Sequence, residues 1–413
     1  MAVLRAFRAV RPDKKYAANV ISLPYDVMNR QEAARMAEGN PYSFLHVCRS
    51  EIDLPEVEDV YAEIVYEKAK ENIEGYLAKG VFIRDEKPML YIYRQITDGR
   101  VQTGIVGCVS IDEYGDGTIK EHEDTRIEKE LDRIHHFDVC NANTEPVFLA
   151  YKQNLRVKTL TEGWISNHEP EYDFVDRFGV EHILWKIDHD ETVWNLEELF
   201  RQMPELYIAD GHHRSASAYK VGLKRRGRNR SYDGNEEFNY FMAVVFPDED
   251  LKIFAYNRVV RSLNGYTPEE LLRKIEEAGF TVKEIGEIGH EPEKEHIFTM
   301  YLGGIWYKLT AKSEIIPDDI TASIDVSILQ DRVLKPILGI EDPRSDKRID
   351  FVGGIKGLKE LERRCKLDAK LAFAAYPVHI SKLIEVADAG LRMPPKSTWF
   401  EPKLGSGLFM HEI

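Results

Sequence analysis

Cysteine is scarce and dispersed. The 413-residue chain has 4 of them, at Cys48, Cys108, Cys140 and Cys365, with no C-x-x-C pair. That excludes a disulfide framework and a thiolate zinc site, and it sets the cytoplasm as the expected compartment. No run of about eighteen apolar residues occurs, so no membrane span is expected. The opening "MAVLRAFRAVRP" lacks the apolar stretch of a signal peptide. Basic charge is in deficit: the formal net charge is −15. Phosphate backbones and anionic membranes select basic surfaces, so neither a general nucleic-acid partner nor a membrane partner is expected.

Common catalytic frameworks are missing as well. There is no G-x-x-x-x-G-K-[ST], no G-x-G-x-x-G after a strand, no H-E-x-x-H and no G-x-S-x-G. Internal repeats and low-complexity tracts are also lacking. What remains is an ordinary globular composition, 43% hydrophobic and 31% charged, enough to bury a core without staples.

The pattern mixes helices and strands without strict alternation, which predicts an α+β (mixed α/β) fold. The spacing predicts a long helix over 54–80 and a hairpin over 89–112 turning at Asp98-Gly99. Strands are expected at 144–151, 180–187 and 205–210, and a helix at 195–203. A second hairpin is expected over 238–260, turning at 247–250. A capped helix begins at Thr267, and a Gly-turned hairpin follows over 296–311. Further helices are expected at 324–339 and 353–365, then a loop and a short strand. "DRIHHFD" (132–138) reads as a surface helix. The expected organisation is an N-terminal α/β region (1–112), a core (113–265), a small α/β subdomain or insertion (266–315), and a helical region with a C-terminal strap (316–413).

The densest chemistry is Asp210-Gly211-His212-His213-Arg214, in "YIADGHHRSASA". A strand ends at Asp210, and glycine permits a sharp turn into a helix start. A helix N-terminus attracts anions, and Arg214 adds a planar fork for phosphate or carboxylate. Asp210 is a candidate ligand for a hard metal ion. His212 and His213 are candidates for proton transfer or charge stabilisation. The plain alternative is a polar strand-to-helix turn.

In "KEHEDT" (120–125), Glu123 is a candidate general base with His122 beside it. The alternative is a solvated charge run before a helix. In the tail, Lys396, Ser397, Thr398, Trp399 and Lys403 suit a small anion against an aromatic wall. An ordered strap with snorkelling lysines is the competing reading. Near the N-terminus, Tyr25, Asp26, Ser43 and His46 either line a pocket or make turns.

Taken together, "IADGHHR", "MPPKSTWFEPKLGSGL", "LPYDV", "NPYSFLHV", "HEDT", "EPVF" and "DPRSDKRIDFVGG" resemble the prokaryotic family of domain of unknown function 1015, over essentially the whole chain. More distantly, "HE" followed by "DGHHR" resembles the two boxes of the ParB/sulfiredoxin-like fold, whose members include free serine kinases. The resemblance implies a ParB/sulfiredoxin-like core with an N-terminal extension and a C-terminal subdomain. It also implies phosphoryl transfer on free L-serine. Glu123 would be the base, with His122 beside it. Asp210 would bind Mg²⁺ or position substrate, and His212, His213 and Arg214 would hold the phosphoryl group. The donor is open among ATP, ADP and pyrophosphate. The other superfamily reading is a nucleotide- or DNA-binding regulatory module. A sulfiredoxin-like redox role would want a cysteine beside the Gly-His-His-Arg box, where none stands.

Overall fold

The computed structural model describes residues 1–229 and 231–413. The fold is mixed α/β. The chain divides into two compact units. Unit 1 comprises residues 1–121, 125–251 and 402–413, and unit 2 comprises residues 122–124 and 252–401.

Unit 1 is built on an eight-stranded sheet. Its strands run in the spatial order Ile119–Lys120, Leu206–Asp210, Val147–Tyr151, Tyr240–Pro247, Arg100–Ser110, Leu90–Thr97, Glu181–Ile187 and Tyr172–Val175. Two neighbouring pairs are parallel, Leu206–Asp210 with Ile119–Lys120 and Tyr240–Pro247 with Val147–Tyr151; the others are antiparallel. The central strands read as continuous apolar runs, "VFLAY" and "YFMAVVFP", because both sheet faces are covered. The expected hairpin at Asp98-Gly99 forms, with Asp98 at φ 49° and Gly99 at φ 72°.

The helix His212–Arg228 packs on the helix Ile127–Cys140. Its "SASA" stretch is buried, and Ser217 Oγ donates to the Glu130 carbonyl at 3.0 Å. At Gly222 a Cβ would lie 2.3 Å from Ile111 Cδ1 and 2.6 Å from the Phe238 carbonyl. Small residues therefore bring this helix close to its neighbours, and its N-terminal turn is held rigidly.

A second, four-stranded antiparallel sheet orders Phe82–Arg84, Ala9–Pro12, Met410–Glu412 and Ala142–Asn143. The last segment of the chain is thus threaded between an early strand and a middle one. Its approach is tied down by Gln95 Nε2 to the Lys403 carbonyl (2.8 Å) and by the Tyr93 hydroxyl accepting from Gly405 N–H (3.3 Å).

Unit 2 carries a six-stranded antiparallel sheet. The order is Phe280–Gly286, Ile305–Ala311, Ile297–Leu302, Leu371–Ala374, Tyr256–Val260 and Ile349–Gly353. The helix Pro268–Glu277 starts at a capping box in which Thr267 and Glu270 satisfy each other's backbone amides.

Four sequence expectations change. The hairpin over 238–260 does not form: Tyr240–Pro247 belongs to the unit 1 sheet and Tyr256–Val260 to the unit 2 sheet. Pro247 ends the first strand, and a 3₁₀ turn over Asp248–Asp250 follows. The long helix covers only Glu63–Ala78; the residues after Pro55 form turns, and helix begins where Val65, Tyr66, Ala69 and Ile73 find a core. The helix expected over 324–339 is α-helical over Asp325–Leu329 and passes into one π-helical turn over Gln330–Leu334. The helix carrying "DRIHHFD" is not a surface helix: Asp132, Arg133, His136 and Phe137 are buried and only His135 and neighbours face out. Polar letters disguised a buried face.

Candidate functional site

Within unit 1, the strand Leu206–Asp210 is apolar and buried up to its last residue, where Asp210 emerges half-buried. Gly211 then adopts φ 99°, and the 17-residue helix begins at His212. The glycine is required twice. The φ lies in the left-handed region, and a Cβ would stand 3.1 Å from the Arg214 guanidinium, which folds back over the turn. Gly211→Ala is therefore expected to cost about 1–3 kcal/mol and to displace Arg214. Native-state hydrogen exchange at the strand Leu206–Asp210, read at the same pH as the parent, checks this; unchanged protection would contradict it.

Arg214 is buried. Its Nη1 donates to the Pro146 carbonyl, and its Nη2 reaches Asp210 Oδ2 at 3.4 Å. Lys403 Nζ, from the returning tail, stands 3.7 Å from the same carboxylate oxygen. Behind Arg214 lies Glu145, fully buried, whose Oε1 accepts from Ser406 Oγ (2.6 Å) and from Tyr25 N–H (3.2 Å). Burial pushes the Glu145 carboxyl above the usual range, against the pull of Arg214 and Arg133. Arg133 caps the group. Its guanidinium lies 4.0 Å from the Tyr25 ring centroid, donates to Asp132 (2.9 and 3.1 Å), and approaches Glu145 Oε2 at 3.8 Å. Among the described residues, three buried polar atoms here make no hydrogen bond: Arg214 Nε, Arg133 Nη1 and Glu145 Oε2. Asp26, next to Tyr25, is exposed. Its charge is felt by both Arg214 and Glu145.

The two histidines of the turn differ. His212 is buried, whereas His213 is half-buried and its Nε2 accepts from the Arg126 N–H at 2.9 Å. That acceptor role leaves the ring proton of a neutral His213 on Nδ1.

Ser43 and His46 are also in unit 1, and their partners are local. Ser43 Oγ accepts from Leu45 N–H (3.4 Å), and the Ser43 carbonyl accepts from the Tyr76 hydroxyl (3.2 Å). His46 pairs with Asp53 at 2.7 Å and meets the Asn40 carbonyl at 3.2 Å. The hydrogen bond to Asp53 raises the His46 pKa. Ser43 lines a cavity of about 430 Å³ with Asn40, Tyr42, Arg177 and Phe178.

The remaining sequence candidates lie in unit 2. His122 is buried; its carbonyl accepts from Met393 N–H (2.7 Å) and its Nε2 lies 3.4 Å from Thr398 Oγ1. Glu123 is half-buried. Ser397 donates to the Pro394 carbonyl at 2.5 Å. Lys396 takes φ 60° and holds its ammonium 5.5 Å from the Tyr256 ring; its carbonyl accepts from the buried Arg258 at 3.0 Å. Burial pushes the Arg258 pKa down to about 10. Trp399 stands edge-on to Tyr256 at 5.0 Å and donates to Glu401 at 2.8 Å. The tail motif is therefore divided: Lys396 to Trp399 belong to unit 2 and Lys403 to unit 1.

The family model described as "Protein of unknown function (DUF1015)" matches residues 4–327. The chain belongs to the DUF1015 family. No curated protein matches this DUF1015 chain in sequence. Among solved structures it is similar to a free serine kinase in complex with AMP, at TM-score 0.38 and 14% identity, over 73% of this chain and 92% of that one. It is also similar to a conserved hypothetical protein from Pyrococcus furiosus (TM-score 0.37, 16% identity, 74% and 94% covered). A third is SbnI with a C-terminal truncation from Staphylococcus aureus (TM-score 0.40, 12% identity, 74% and 87% covered). Likenesses at that level decide neither ligand nor reaction. Among the described residues of this DUF1015 protein, no helix is long and apolar enough to cross a membrane.

The sequence missed Glu145 and Arg133 as parts of the site, and it offered Tyr25 only as a pocket or turn residue near the N-terminus. "EPVF" and "LPYDV" stood out as motifs, but nothing local marks an acid that will be fully buried. An acidic residue set between an apolar strand and a threonine is the only hint.

Proposed function

We propose that the chain is a metal-dependent phosphotransferase acting on a small hydroxylated metabolite, with free L-serine as the first candidate. The observation that carries this reading is the buried, unsatisfied cationic floor beneath the Asp210–Arg214 turn. A buried donor such as Arg214 Nε costs about 1–3 kcal/mol when it has no acceptor. A phosphoryl oxygen at the turn would supply one, with the N-terminus of the 17-residue helix adding its own attraction. Lys403 brings a further positive charge. Phosphoryl transfer asks mainly for positioning and charge neutralisation, and this arrangement offers both.

In the proposed reaction, the substrate hydroxyl oxygen forms the new P–O bond while its proton passes to the Glu123 carboxylate. The bridging P–O bond of the donor breaks, and the departing phosphate keeps the electron pair. His122 would orient Glu123, while His212 and His213 would flank the phosphoryl group. Lys396, Ser397, Thr398 and Trp399 are proposed to bind substrate. Ser43 would shape the cavity beside Tyr42, and His46 a neighbouring one lined by Asn40, Pro41 and Asp53. Asp210 fits a hard cation as one carboxylate ligand; Mg²⁺ there would neutralise phosphate charge, with its other ligands drawn from phosphate and water.

The test is a phosphorus NMR time course of the full chain with Mg²⁺ and L-serine, in parallel with ATP, ADP and pyrophosphate. A further tube holds O-phosphoserine alone. A phosphoserine resonance that grows or decays, and is lost in Arg214→Ala, is the expected result. Loss of roughly a hundredfold or more in rate matches removal of one transition-state donor. No change in any tube removes serine as the substrate. Nucleotide binding without turnover would point to a regulatory module.

A further inference from the structure

Unit 2 holds a cavity of about 190 Å³ that no part of the phosphotransfer reading uses. Its wall includes Glu295, His296, Ser323, Asp325, Tyr376 and Lys382, with Ile324, Pro377 and Val378 as apolar lining. The volume corresponds to about six waters.

Two features of this wall are costly. His296 is not a glycine, yet it sits at φ 67°. Strained backbone of this kind costs about 1–3 kcal/mol and gathers at ligand sites. Asp325 holds it there: its Oδ1 accepts the His296 backbone N–H at 2.8 Å and meets the ring Nδ1 at 3.2 Å. Asp325 itself is buried, and among the described residues its Oδ2 has no hydrogen-bond donor. Burial pushes this carboxyl up to about 6, with Glu295 adding to the rise and His296 opposing it. Lys382 also lines the cavity, and its ammonium pairs with the half-exposed Glu385 at 2.8 Å. Such pairs contribute little and yield readily to a better anion.

The lining therefore combines two carboxylates, one with an oxygen that accepts no hydrogen bond, with a lysine and aliphatic side chains. We infer that this cavity binds a small aliphatic α-amino acid, its ammonium on the Glu295/Asp325 side, its carboxylate on Lys382, and its side chain against Ile324 and Val378. The site is independent of the phosphotransfer reading.

The experiment is isothermal titration calorimetry of the full chain with L-alanine and L-valine, neither of which has a hydroxyl to phosphorylate. Binding is expected, at least tenfold weaker in Lys382→Met and in Asp325→Asn, and unchanged in Arg214→Ala. Asp325→Asn also guards against unfolding as the cause. A carboxyl whose folded pKa is raised favours folding most below its unfolded pKa, and that benefit is lost as pH rises through about 6. At pH 7 the asparagine variant is therefore expected to unfold no more easily than the parent, which circular dichroism checks. Absence of heat with both amino acids overturns the inference. So does equal affinity in the parent, Lys382→Met and Asp325→Asn. Binding lost in Arg214→Ala but kept in Lys382→Met would place the amino acid in unit 1, against this proposal.

Discussion

Glu145→Ala is expected to destabilise unit 1 by about 3–5 kcal/mol, the range for breaking a buried charge cluster by removing one partner. The carboxylate is a fully buried counter-charge felt by both Arg133, which also pairs with Asp132, and Arg214, which also reaches Asp210, and it anchors Ser406 and the Tyr25 amide. Removing it leaves two buried guanidinium groups with one carboxylate partner each and releases the returning tail at Ser406. Glu145→Gln keeps an acceptor for Ser406 and Tyr25 and is expected to lose less. Because the chain has two units, a single melting curve would blend them. Native-state hydrogen exchange at the adjacent strand Val147–Tyr151 reads the effect where it belongs. Protection in Glu145→Ala equal to that of the parent would show that the cluster is not coupled to unit 1 stability.

His136 should make the protein acid-sensitive, to an extent that the variant His136→Gln removes. Burial, with Arg133 adding to it, lowers the His136 pKa to about 3. The neutral ring meets the Val47 carbonyl through Nε2 at 3.0 Å. A folded pKa below the unfolded one means that this contribution is complete above the unfolded value near 6.5. It is lost as pH falls from there toward about 3. Glutamine can donate to the same carbonyl without titrating. Denaturant midpoints between pH 7 and pH 4 are expected to fall more steeply for the parent than for His136→Gln. Carboxylates that do not feel His136, such as Glu237, whose pKa is lowered by His411 and Arg5 against burial, contribute to the acid loss in both proteins and cancel in the difference, whereas Asp132 is held down partly by His136 and belongs to it. Parallel curves would assign acid sensitivity to those carboxylates alone.

Legibility from sequence followed how local the cause was. The turn at Asp98-Gly99, the cap at Thr267 and the strand–glycine–helix turn at Asp210–Arg214 each depend on residues within a few positions of one another. Their chemistry is visible in the letters. The floor of the site is assembled from Tyr25, Arg133, Glu145 and Ser406, four segments with no shared period. A periodicity argument assigns polar letters to solvent, so it placed Arg133 and His136 on a surface. The supposed hairpin over 238–260 failed for a related reason. Two apolar strands joined by a polar turn look alike whether they pair with each other or with distant strands. Nothing in the composition marks Pro402 as the point where the tail passes from unit 2 back to unit 1.

The threading of Met410–Glu412 between Ala9–Pro12 and Ala142–Asn143 has a temporal consequence. A ribosome delivers the N-terminal portion of unit 1 first and all of residues 252–401 next, and only then the segment that completes the small sheet. Until that moment, two strands wait with a vacant slot between them, and Glu145 lacks Ser406. Such long-range pairing is slow and leaves strand edges open to other chains. Nascent chains stalled before residue 402 are therefore the species most prone to aggregate during synthesis.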